Sequence, residues 1–138
     1  MPIDNVIYIP KPVAEGMRNH AVSELPNECC GVLLGRSATV GRFVPVRNVQ
    51  PAPDTYFMDP GQQIEIFEDM EKKGEALLGI YHSHPGGPPR PSGPDLRLAF
   101  HPESAYLIIS LEKNFLRAEI RAFVLRDNRF HEITIHYR

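Results

Sequence analysis

The stretch from His82 to Asp95 constrains this chain more than any other. Pro85 to Pro94 holds five prolines and three glycines in ten positions, so neither a helix nor an interior strand can run through it. The loop is stiff, with His82 and His84 before it and Asp95 after it. A His-x-His pair at a strand end puts both rings on one face, with Cα atoms about 6.5 to 7 Å apart, while Ser83 points away. Both imidazoles can then reach one ion, and the returning loop can bring the Asp95 carboxylate to them. Two neutral nitrogens and one carboxylate oxygen suit a tetrahedral zinc ion, and three protein ligands leave a fourth position open.

An open position is the mark of a catalytic metal. Zinc lowers the pKa of a bound water to around 7, yet amide hydrolysis also needs a base to take the water proton and hand it to the leaving amine. Glu28 is the candidate, because it opens the apolar run Glu28-Cys29-Cys30-Gly31-Val32-Leu33-Leu34-Gly35, where an acid is costly without a partner or a task. A period of two places Glu28, Cys30, Val32 and Leu34 on one side of that strand. Ser92 is a candidate donor to the oxyanion of the attacked carbonyl, and its structural alternative is a turn residue capping a helix that contains Asp95.

The rest of the chain predicts a scaffold for these residues. At 138 residues it is expected to be one domain, residues 1–138. Strands are expected at Val6 to Ile9, Glu28 to Gly35, Phe43 to Val49, Leu77 to His84, Ala105 to Ser110, Leu116 to Leu125 and Phe130 to Tyr137. Pro45 marks an edge or a bulge. A helix is expected from Pro10 to about Leu25 with Val13, Met17 and Ala21 on one face. A second follows the Asp59-Pro60 start signal with Ile64, Phe67 and Met70 at helical spacing, and a short third runs from about Asp95 to Phe100. Asp127-Asn128 is hairpin turn chemistry. Strands interleaved with helices and ending in an antiparallel meander imply an α/β fold, a mixed sheet with helices packed on it.

Composition narrows the function classes. Lys and Arg number 15 against 17 Asp and Glu, a net charge of −2, which argues against a broad cationic face for nucleic acid. The N-terminal stretch lacks the pattern of a secretory signal, and no window reaches the roughly 18 apolar residues of a membrane span. The adjacent Cys29 and Cys30 cannot staple a fold and are expected as buried small hydrophobes, so the cytoplasm is the expected compartment. His20 is expected on a helix surface, and His101 is a candidate for a supporting role beside the site.

His82-Ser83-His84, seven residues, Ser92, two residues and Asp95, with the upstream Glu28-x-x-Gly31-x-x-x-Gly35, resembles the JAMM (MPN-plus) zinc metalloproteases. The resemblance runs roughly from Glu28 to Ser110. It implies one zinc ion per chain held by His82, His84 and Asp95, with Glu28 as base and Ser92 assisting the tetrahedral intermediate. It also implies a curved mixed β-sheet flanked by helices, the MPN/JAB1-like domain. Its implied substrates are peptide or isopeptide bonds after the C-terminal Gly-Gly of ubiquitin or ubiquitin-like proteins. Only nine residues, Leu96 to Ser104, separate Asp95 from the next expected strand, which leaves little room for the insertion that eukaryotic members use to grip ubiquitin. The compact form is similar to prokaryotic members that act on ubiquitin-like sulfur-carrier proteins. Two further readings stand beside this one: a non-catalytic MPN scaffold, and a zinc hydrolase of a small amide. The oligomeric state is not legible.

Overall fold

The computed structural model describes residues 3–97, 101–112 and 118–138. The elements run β1 (Val6–Ile9), α1 (Lys11–Ser23), β2 (Cys30–Arg36), β3 (Thr39–Val46), α2 (Pro60–Lys72), β4 (Ala76–His84), α3 (Gly93–Arg97), β5 (Ala105–Ser110), β6 (Glu119–Arg126) and β7 (Arg129–Tyr137). The expected ends of the third helix at Phe100 and of a strand beginning at Leu116 lie outside the described residues.

The strands form one mixed sheet in the order β1-β3-β2-β4-β5-β6-β7, curled until β7 pairs in parallel with β1. The expected curved sheet therefore closes on itself. Its thinnest seam is β1 against β3, joined at the single register pair Tyr8↔Thr39. Since β1 reaches only that end of β3, Pro45 sits on an open edge, as its missing N–H requires. The bulge is elsewhere, between Leu34 and Gly35.

Side-chain alternation divides the core in two. Leu33, Tyr81, Leu107 and Ile109 pack with α1 residues Val13, Ala14, Met17 and Ala21. Val32, Leu34, Ile80 and Tyr106 occupy the opposite face and pack with Ile66 and Met70 of α2. The expected face of α2 is corrected here: Ile64 is 61% exposed, and the contact is made by Ile66 and Met70 at i, i+4 spacing. Asp59 Oδ1 accepts from the Gly61 N–H and caps this helix, while Pro60 occupies its first turn. Arg42 on β3 donates to Asp69 of α2 and to Glu75, and so holds α2 across the sheet.

Two other expectations need correction. The third strand begins at Thr39, not Phe43, because Ser37 and Ala38 take φ of 52° and 63° and make a tight β2–β3 turn. His20 is not a surface residue: its Nδ1 lies 2.8 Å from the Tyr81 hydroxyl, and its ring packs edge-on against Tyr81. Burial lowers the His20 pKa against the opposing pull of Glu24.

Both glycines of the upstream motif make room for neighbours. A Cβ on Gly31 would lie 2.3 Å from the Tyr81 ring, and one on Gly35 would lie 2.1 Å from the Thr39 carbonyl oxygen. Because the second neighbour is backbone, Gly35→Ala is expected to lower unfolding free energy by about 1–3 kcal/mol in urea titrations. A histidine whose pKa falls on folding binds its proton better when unfolded. The stability His20 contributes is thus complete above pH 6.5 and declines as pH drops below it. Denaturation midpoints between pH 7.5 and 5.5 should therefore fall less steeply in His20→Gln than in the parent chain.

Candidate metal centre

The antiparallel pairing of β2 with β4 builds the site. Cys30 lies opposite His82, so the residues just before β2 meet the end of β4. The Cys29 N–H donates to Ser83 Oγ at 2.8 Å, and the Ser83 N–H donates to the Cys29 carbonyl at 3.2 Å. Ser83 is thus spent on the α1 face, as expected, and His82 and His84 project from the other. Parallel pairing with β5 flanks β4 on its second side, and the Leu111 N–H donates to the His84 carbonyl.

The proline-rich loop brings Asp95 back to the histidines. Asp95 Oδ1 lies 3.1 Å from His82 Nε2, Asp95 Oδ2 lies 3.1 Å from His84 Nε2, and the two Nε2 atoms are 3.1 Å apart. A tetrahedral zinc ion with bonds of 2.0–2.1 Å separates its ligand atoms by roughly 3.3 Å, so this spacing fits one such ion. His84 Nδ1 lies 2.8 Å from the Pro88 carbonyl; a proton donated there leaves Nε2 with its lone pair for a metal. Tyr56 stacks on His82, with centroids 4.8 Å apart and planes at 27°. Among the described residues these three form the group whose ligand atoms could hold a metal ion.

Burial works to raise the Asp95 pKa, but hydrogen bonds with His82 and His84 outweigh it and hold the carboxylate well below its usual range. Burial lowers His82. It acts the same way on His84, where the hydrogen bonds to Asp95 and to the Pro88 carbonyl, together with the charges of Asp95 and Glu28, overcome it and the net direction is upward.

Glu28 comes to the same place from the segment just before β2, which begins at Cys30, two residues after the strand start expected at Glu28. It is 3% exposed, and its Oε1 has no hydrogen-bond partner. Its backbone is pinned: the N–H donates to the Ala52 carbonyl, and Asn48 Nδ2 donates to the Glu28 carbonyl. Burial pushes its pKa up to about 8, with Asp95 and Asp54 adding to the rise and His84 opposing it. A carboxyl in that range can hold or release a proton near neutrality. Glu28, His84 and Ser92 line one cavity of about 510 Å³, which Asp54 and Arg90 also border.

Ser92 takes the capping position that was its structural alternative. Its Oγ accepts from the Asp95 N–H at 3.2 Å, and its own N–H donates to Asp95 Oδ2 at 2.8 Å. Cys29 and Cys30 are buried free thiols, pushed up to about 12 by burial. His101 lines a smaller pocket beside Tyr56. Tyr56 was missed by the sequence reading. Its only signal was an aromatic pair, Tyr56-Phe57, in an otherwise polar and proline-rich loop.

A mixed sheet with a His-His-Asp cluster at the edge of one strand places the chain among the JAB1/MPN-type folds. Residues 10–125 match the family described as prokaryotic homologs of the JAB domain, and the chain belongs to that family. It is 41% identical over 95 residues to a Thermus thermophilus protein named probable TtuB-protein conjugate cleaving protease, covering 68% of this chain and 64% of that one. It is 32% identical over 124 residues to the CysO-cysteine peptidase of Mycobacterium tuberculosis, covering 88% and 84%. A Desulfitobacterium hafniense protein known from its solution structure superposes with a TM-score of 0.86 at 39% identity, covering 96% of this chain and 92% of that one. A JAB1/MPN domain protein from Archaeoglobus fulgidus shares the fold, with a TM-score of 0.63 at 17% identity over 95% of this chain and 98% of that one.

If the triad is a metal site, the purified chain should bind about one divalent ion and lose a chelator-sensitive part of its thermal stability in His82→Ala and Asp95→Ala. Elemental analysis beside melting curves with and without chelator checks this. Stoichiometric metal in either variant would remove that residue from the ligand set.

Proposed function

We propose that this chain is a zinc-dependent metallopeptidase of the JAMM type. Its substrate is the peptide, isopeptide or amino-acyl bond that follows the C-terminal Gly-Gly of a ubiquitin-like or sulfur-carrier protein. The carrying observation is the buried, unpartnered Glu28 carboxyl bordering the same cavity as His84, one of three residues whose ligand atoms converge. A buried acid without a partner is costly, and here it stands where hydrolysis needs a base. The names of the Thermus and mycobacterial relatives, a probable TtuB-protein conjugate cleaving protease and a CysO-cysteine peptidase, support this substrate class.

His82, His84 and Asp95 would hold one zinc ion, which when bound supplies Lewis acidity toward the scissile carbonyl and toward water. Glu28 takes the proton of the attacking water and delivers it to the leaving nitrogen, so that the amine departs neutral and the carboxylate is restored. Ser92 Oγ already accepts the Asp95 N–H, which leaves its own proton to donate to the carbonyl oxygen as that atom gains charge. Tyr56 holds the His82 ring by stacking. A diglycine tail suits such a site because a backbone without Cβ atoms can come close to the reacting centre. No helix among the described residues is long and apolar enough to cross a membrane. The two buried free thiols suit a reducing cytoplasm, where we place the protein.

The test is a carrier protein bearing a C-terminal Gly-Gly adduct, assayed beside a panel of small amides. Glu28→Gln should keep its zinc and lose at least about 100-fold in kcat. Ser92→Ala should lose on the order of 100-fold and also bind zinc less tightly, since Asp95 loses its cap. A wild-type chain that binds zinc and cleaves only small amides contradicts the carrier assignment, and one that binds no zinc points to a scaffold.

A further inference from the structure

Two cavities flank the triad, and they differ in chemistry. The larger one, on the His84 side, is bordered by Glu28, Ser92, Asp54 and Arg90. The other, of about 150 Å³, is reached past His82 through the stacked Tyr56, and its walls include Met58, Ile80 and Tyr106. That volume is about the size at which an apolar protein cavity holds a benzene-sized group. Phe57 stands at this pocket 47% exposed, and Ile64, next in α2 after the pocket-lining Gln63, is 61% exposed. Phe57 thus offers apolar surface at the mouth of the pocket, as a site that meets an apolar partner would.

The position of Glu28 orients the substrate across these cavities. The group that protonates the leaving nitrogen must lie on the leaving-group side of the bond, so the released amine belongs in the larger cavity. The acyl half, the carrier tail, then departs the other way, past His82 and Tyr56. An extended chain advances about 3.3 Å per residue, so the diglycine covers only the stretch alongside the triad and Tyr56. The side chains just upstream of it arrive at the smaller pocket.

We propose that the pocket walled by Tyr56, Met58, Ile80 and Tyr106 is a specificity pocket for one large apolar side chain, carried by one of the two residues that precede the tail's diglycine. This rests on the proposed peptidase reading and adds a recognition element to it. The diglycine sets what can pass the triad, and the pocket selects among carriers that share that ending. Met58 lines the wall and Phe57 the exposed rim, and neither is assigned a role in the chemistry.

The test uses the intact zinc-loaded chain and short tail peptides ending in Gly-Gly with a fluorogenic leaving amine. The two preceding residues are varied in turn among leucine, alanine and aspartate. At one of them leucine should exceed alanine in kcat/KM by about tenfold or more. Met58→Trp, which fills the pocket, should bring that ratio close to one, and Phe57→Ala, a change at the rim that leaves the core intact, should reduce it. The same peptides ending in a free Gly-Gly carboxylate, titrated into the chain by NMR, should show the leucine preference in binding. Cleavage at equal rates whatever residue precedes the diglycine, or a leucine preference unchanged in both variants, overturns the pocket and leaves the peptidase reading standing. Failure to cleave any Gly-Gly substrate while small amides are turned over overturns the peptidase reading, and the pocket assignment with it.

Discussion

The antiparallel ladder between β2 and β4 is the constraint on which the site depends. Its register sets Cys30 against His82, and the alternation of side chains then sends Glu28 and His84 to one face at one end of the sheet. A slip of one residue would turn the histidines toward α1 and leave Glu28 on the wrong side. The register is held by the cores on both faces, with Leu33 and Tyr81 committed to one and Val32 and Ile80 to the other. It is reinforced at the site by the paired bonds between Cys29 and Ser83. The polar residue between the two histidines is thus a structural pin, which explains how a buried serine is tolerated at that position.

Burial pushes both carboxyls of the site toward their neutral form, yet they end in opposite states. Asp95 and Glu28 are both removed from water, yet Asp95 is held ionised by its two imidazole partners while Glu28, lacking a partner on Oε1, is raised toward neutrality. One acid is thereby suited to hold a cation and the other to carry a proton, a division of labour set by hydrogen bonding rather than by residue type.

Much of this was legible in the sequence, for identifiable reasons. The convergence of His82, His84 and Asp95 was legible because a stiff proline-rich loop joins residue types that bind metals, and the burial of Glu28 beside His84 because an acid heading an apolar run is conspicuous. Asp127-Asn128 announces a tight turn, and the structure has positive φ at both residues. Ser37-Ala38 takes the same conformation with no such signal, because the sheet imposes it, and the start of β3 was misplaced as a result. His20 was misjudged because helical periodicity shows a face but not that a tyrosine hydroxyl from β4 comes to meet it. Ile64 was misjudged because two overlapping apolar stripes run along α2 and only packing decides between them. Tyr56 lies in a loop without periodicity, where nothing local shows which ring will stack on a histidine.

Ser92 and Asp95 grip each other twice, through the serine hydroxyl and through the serine amide. The pair is therefore a single structural unit. A descendant that replaced the aspartate alone would strand a hydroxyl shaped around it. Across diverging copies of this fold, the two positions should be kept together or lost together.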